Sequence, residues 1–94
     1  MQIKWLRTAL RNLDAEAEYI ARDNPAAADR MVQKIRATVN LLIEQPALGR
    51  AGRVPNTREL VIGGTPYLVP YRVRGQVIEV LRVLHAARQW PPQF

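Results

Sequence analysis

The side chains with the most chemical capacity are gathered near the end of the chain. The run VIEVLRVLHAARQW, residues 77–90, holds the sole histidine, His85, together with Arg82, Arg88 and Trp90. Imidazole titrates near neutral pH, so His85 can act as a general acid or base. It can equally end a strand by bonding to backbone, because one His with no recognisable nucleophile or base beside it does not define a site. Arg82 interrupts a pattern of Val, Leu and Ile. Burying an unpaired charge is costly, so its guanidinium has to reach solvent, a phosphate, or an acid such as Glu59 or Glu79. Arg50, Arg53 and Arg58 can extend a basic path towards this end or simply be solvated. Trp90 and Tyr67 can stack on nucleic-acid bases, or serve as core or interface anchors.

Several other chemistries are excluded. The 94 residues contain no cysteine and one histidine, which rules out disulfides, thiol catalysis and Cys- or His-rich metal sites. No phosphate-cradling Gly-rich loop, carboxylate pair or Ser-His-Asp order occurs, and Gly63-Gly64 is a hairpin turn rather than a nucleotide fingerprint. Neither a metal nor a cofactor is therefore expected. The N-terminus lacks the apolar core of a signal peptide, and no stretch reaches the roughly 18 apolar residues that span a bilayer. A soluble, cytoplasmic protein with no membrane partner is expected. The net charge of +6 is uneven. Up to Gly49 seven Lys and Arg face six acids, whereas from Arg50 onward seven Arg face only Glu59 and Glu79. Such an Arg-rich half implies a polyanion or an acidic protein as partner, or else a solvated basic surface.

The elements that position these residues follow from hydrophobic spacing. Residues 2–5 alternate and predict a short first strand. From Leu6 the period becomes helical, with Leu6, Leu10, Leu13, Ala17, Ile20 and Ala21 on one stripe, predicting a helix to about Arg22. Asn24-Pro25 then supplies an N-cap and a favourable first helical residue. The second helix carries Ala28, Met31, Val32, Ile35, Val39, Leu42 and Ile43 on its buried stripe and ends before Pro46. So short a connection predicts an antiparallel helical hairpin. A Gly- and Pro-rich loop over 46–56 carries Arg50 and Arg53. Three strand patterns follow, at 57–62, 67–73 and 77–84, separated by the turn sequences 63–66 and 74–76. The expected fold is α+β, in the order β-α-α-β-β-β. The short strand and helical hairpin pack on one face of an antiparallel sheet that ends in a three-stranded meander, forming a single domain over 1–94.

A turn at Gly75-Gln76 pairs Arg74 with Val77, Val73 with Ile78, Arg72 with Glu79 and Tyr71 with Val80. One sheet face then carries Tyr67, Val69, Tyr71, Val73, Ile78, Val80 and Leu84, with Arg82 as its one charge. The other carries Leu68, Pro70, Leu81 and Val83, with the Arg72–Glu79 pair at the turn end. Both faces are apolar and the hairpin covers one, so the second is expected to await a partner.

With this element order, the segments TRELVI (57–62) and PYLVPYRV (66–73) and the ending VIEVLRVLHAARQWP (77–91), with its His-x-x-Arg-x-Trp form, the chain resembles the RelE/ParE superfamily of toxins from type II toxin–antitoxin modules. The resemblance implies an antitoxin whose C-terminal segment, apolar and acidic, wraps the toxin. One branch of the superfamily cleaves messenger RNA on the ribosome with basic side chains; the other binds and poisons DNA gyrase. The ribonuclease branch commonly has a functional Arg where the first meander hairpin begins, and this chain has Gly63-Gly64 there. It also lacks a Lys-rich loop and an evident C-terminal catalytic Tyr, carrying Trp90 and Phe94 instead. The resemblance thus favours a ParE-like gyrase poison, with partner contacts expected at Arg58, Leu68, Arg72, Leu81, Arg82, Val83, Arg88 and Trp90. The alternative is a RelE-like, ribosome-dependent endoribonuclease working through Arg82, His85 and Arg88 with Arg50 and Arg53.

Overall fold

In the computed structural model, which describes residues 1–87, 90, 91 and 94, strand β1 (Gln2–Trp5) leads into helices α1 (Arg7–Ala21) and α2 (Pro25–Asn40). Asn24 caps α2 as its position before Pro25 predicts: its Oδ1 accepts the Ala27 N–H at 3.1 Å. A 3-10 turn at Leu41–Ile43 extends α2, and the strands β2 (Arg50–Ala51), β3 (Arg58–Val61), β4 (Tyr67–Arg74), β5 (Val77–Val80) and β6 (Leu84–His85) complete the chain.

The sheet order is β1-β5-β4-β3-β2, with β6 also paired to β4. The pairs from β2 to β6 are antiparallel, while β1 runs parallel to β5. The chain returns to the sheet through the helical hairpin and the meander, which lets its first strand lie beside β5 in the same direction. The centre of the sheet is β4, buried from Tyr67 to Tyr71 on both faces. The hairpin packs on one face, where Leu13, Ile35, Val39 and Leu42 meet Val69, Tyr71, Ile78 and Val80. Burying each such side chain contributes about 1.5–3 kcal/mol. Leu10 and Ile43, expected on the buried stripes, are 37% and 42% exposed; at 100° per residue the α1 stripe is centred on Ala9, Leu13 and Glu16, one position away from Leu10.

The register set by Gly75-Gln76 is the expected one, with Arg72 opposite Glu79 and Tyr71 opposite Val80; Gly75 supplies the positive φ of the turn. Beyond Val80 the expected single strand 77–84 divides. Val80 pairs with Tyr71 and Leu84 with Leu68, so four steps on one strand oppose three on the other: a β-bulge. Pro70 causes it. The Leu81 N–H donates to the Pro70 carbonyl at 2.9 Å, and in a regular narrow pair the reciprocal bond would run from residue 70 to the Leu81 carbonyl. Proline has no N–H to make it. Arg82 takes that role, its Nη1 donating to the Leu81 carbonyl at 2.8 Å, and Asn12 of α1 accepts the Val83 N–H at 3.2 Å. The inserted residue reverses the faces: Val83 joins the core under the helices, and Arg82 and Leu84 leave it.

Candidate partner interface on the second sheet face

Strand alternation places Glu59 of β3 opposite Pro70, on the face away from the helices. Its side chain is 3% exposed, yet it is ionised and shared. Oε2 accepts the Arg53 backbone N–H at 2.8 Å and Arg53 Nε at 3.2 Å, while Oε1 accepts Arg50 Nε and Nη2 at 3.3 and 3.2 Å. Burial pushes the Glu59 pKa up, but the bonds from Arg53 and Arg50 outweigh it and hold the carboxyl below its ordinary value. At the turn end Glu79 is also shared by two arginines, with Arg72 Nε at 2.6 Å and Arg74 Nε at 3.4 Å. The Arg72 hydrogen bond is the main cause of its lowered pKa. Four guanidinium groups thus meet two carboxylates, and the face keeps a positive surplus. An open cleft of about 320 Å³, lined by Arg58, Arg72, Asn56 and Thr57, lies at the ends of β3 and β4.

The apolar floor between these clusters is not bare. Leu68 and Leu81 are 5% and 2% exposed, and Pro70 is fully buried. The chain supplies its own cover on this side. Val54 of the loop is buried. The Trp90 ring lies on the Arg53 guanidinium, 3.7 Å from Cζ to the ring centroid, and the Phe94 ring lies 5.4 Å from Arg82 Cζ. The expectation of an uncovered second face is thereby corrected: its apolar residues are buried within the chain itself, and Trp90 and Phe94 lie on the arginines beside it.

The expected site residues divide accordingly. Arg50, Arg53, Leu68, Arg72, Leu81 and Trp90 lie on or against this face. Arg58, one position from Glu59, points the other way: its Nη1 donates to the Gly49 carbonyl at 2.8 Å, closing the loop over Tyr71. Val83, expected beside Leu68, is in the main core because of the bulge. Arg82 pairs with neither Glu59 nor Glu79 but with a carbonyl. His85 accepts the Ala87 N–H on Nδ1 at 3.1 Å and sets its ring edge-on to Tyr67, whose hydroxyl is bonded to the buried Glu16 at 3.1 Å. Its backbone-bonding role at the strand end is the one the geometry displays. Arg88 lies outside the described residues.

Three contributions were not anticipated from the residues. Glu59 was expected as a candidate partner of Arg82 and instead holds Arg50 and Arg53. Asn12 left no signal. Tyr71 holds the loop by accepting the Gly49 N–H at 2.9 Å and donating to the Pro46 carbonyl at 2.7 Å. The arrangement holds oriented positive charge around an apolar floor that is itself buried.

Known proteins share this arrangement of elements. Residues 3–90 match the family described as ParE toxin of type II toxin-antitoxin system, parDE. "Putative toxin Y4kP" of Sinorhizobium fredii is 49% identical over 96% of this chain and 93% of its own length. "Toxin RelE2" of Caulobacter vibrioides is 36% identical over 93% of this chain and 97% of its own. A solved structure described as "Chromosomal ParDE TA system from P. aeruginosa" superposes with a TM-score of 0.81 at 34% identity, covering 90% of this chain and 95% of that one. The family match runs from Ile3 of β1 past β6, and the chain belongs to the ParE toxin family of type II toxin–antitoxin systems, within the RelE/ParE superfamily.

Proposed function

We propose that this toxin acts by binding DNA gyrase and blocking replication, and that an acidic, apolar segment of its cognate antitoxin neutralises it at the second sheet face. The whole of residues 1–94 serves as one toxin domain in this reading. The observation that carries it is the hairpin turn: Gly63-Gly64 stand where the ribonuclease branch carries its functional Arg, and they put no side chain there. The arginines held by Glu59 and Glu79 keep a positive surplus on the second sheet face, which suits an acidic antitoxin segment. With purified toxin, gyrase supercoiling is inhibited or cleaved DNA is trapped at stoichiometric toxin; unimpaired supercoiling at excess toxin refutes the proposal.

The second reading, a ribosome-dependent endoribonuclease, draws on one observation. Lys34 of α2 reaches the hairpin turn, where a Cβ on Gly64 would come within 2.7 Å of its Nζ. A cation thus arrives from a helix at the place the missing Arg would occupy. Mapping messenger RNA ends after induction separates the two, since only the nuclease produces codon-positioned cuts before replication stops.

A further inference from the structure

Leu68, Pro70 and Leu81 form the floor on which an apolar antitoxin segment would sit, and the chain itself already covers them. Resting on the antitoxin reading above, we propose that the Trp90 indole is an exchangeable occupant of this face, seated on Arg53 where an acidic, apolar antitoxin segment docks.

Two parts of the chain cover this side, and they are held differently. The loop with Val54 is tied down: the Gly52 N–H donates to the Thr57 carbonyl at 2.8 Å, the Thr57 hydroxyl to the Val54 carbonyl at 2.6 Å, and the Arg53 N–H to Glu59. Trp90 rests on Arg53 by stacking, and its Nε1 is buried with no hydrogen-bond partner among the described residues. A buried donor left unpaired is costly, so the indole is the weaker cover and the one that leaves. Its seat outlasts it, because Glu59 fixes Arg53 from the other side. The Arg50–Glu59–Arg53 cluster keeps one positive charge, which a stacked neutral ring leaves uncompensated and a partner carboxylate satisfies. An acidic segment therefore gains at this position what the indole lacks.

The test uses the full chain labelled with 5-fluorotryptophan, whose two tryptophans, Trp5 and Trp90, are assigned with a Trp5→Phe variant. On titration with the full-length cognate antitoxin, the Trp90 fluorine signal moves to the position and solvent isotope shift of an exposed indole. Trp5, packed against the core, keeps its own. Removing an intramolecular competitor raises apparent affinity by the reciprocal of the fraction of molecules it had left open, so with about one molecule in ten open Trp90→Ala binds the antitoxin about 10-fold more tightly. A stoichiometric complex in which Trp90 stays shielded, or weaker binding by a folded Trp90→Ala variant, overturns the exchange and leaves the antitoxin reading standing. Absence of any complex overturns both. Where Trp90→Ala fails to fold by circular dichroism, the fluorine measurement on the unsubstituted chain decides.

Discussion

Replacing Glu59 by Gln removes one charge from the second sheet face while keeping the shape and one acceptor oxygen, which makes it a sharp probe of the Arg50–Glu59–Arg53 cluster. Breaking a buried ion pair costs about 3–5 kcal/mol when the surviving charge is also buried. Here the surviving partners, Arg50 and Arg53, are 56% and 49% exposed, so water rehydrates them and the loss is smaller. Hydrogen bonds to a charged group contribute about 1.5–3 kcal/mol, and Gln retains part of that, so the expected loss is about 2 kcal/mol at pH 7. For a domain of this size it corresponds to a fall in Tm of about 8–16 °C. The pH dependence gives a second handle. The folded-state pKa of Glu59 is depressed below 4.5, so its contribution is present above the ordinary carboxylate pKa and is lost as pH falls through the folded value. Urea denaturation of both proteins from pH 7 to pH 3 should show a constant gap down to about pH 4.5 that closes below it. A gap under about 0.5 kcal/mol at pH 7, the level of an ordinary surface substitution, refutes the cluster as a stabilising element. A gap that persists unchanged to pH 3 refutes its electrostatic origin.

The bulge yields a double-mutant cycle. Arg82→Ala leaves the Leu81 carbonyl without the Nη1 donor and should destabilise by about 1–2 kcal/mol. In a Pro70→Ala background a backbone N–H is available for the same carbonyl, so the cost of Arg82→Ala should shrink by at least about 0.5 kcal/mol in urea denaturation; strict additivity refutes the substitution of one donor for the other. Tyr71→Phe strips partners from the Gly49 N–H and the Pro46 carbonyl and should cost about 1–3 kcal/mol. Amide exchange should rise at Gly49 specifically, and unchanged protection there removes Tyr71 as the anchor of the loop.

What was legible in the sequence was what neighbouring residues decide. Asn24-Pro25 announces its helix start because cap and first turn are adjacent, and Gly75-Gln76 fixes the register of β4 and β5 because a two-residue turn leaves little choice of pairing. The bulge was not legible, since Pro70 matters only through the carbonyl that lies across from it, which another strand contributes. Once Pro70 stands opposite Leu81, the division of the strand, the burial of Val83 and the release of Arg82 follow together. The parallel pairing of β1 was hidden for a similar reason: four alternating residues pair either way, and the neighbour is chosen by the path of the chain. For the candidate interface, composition disclosed the arginine surplus. It did not disclose that each scarce acid is placed to hold two of those arginines.

That placement bears on recognition. A flexible arginine loses rotamer entropy when it meets a carboxylate, which offsets part of the gain. On this face the loss is already taken during folding: Glu59 engages Arg50 through Nε and Nη2 and Arg53 through its backbone and side chain, and Glu79 does the same for Arg72 and Arg74. A guanidinium carries five N–H donors, so a held arginine still has donors for a second carboxylate. The two acids of the arginine-rich half therefore act less as neutralisers than as orienters. They cancel half of the local charge and fix the other half in position, so that a partner with acidic residues at matching intervals meets charges already set. On the exchange proposed above, a partner lacking them gains only the apolar floor, and displaces the chain's own cover to reach it.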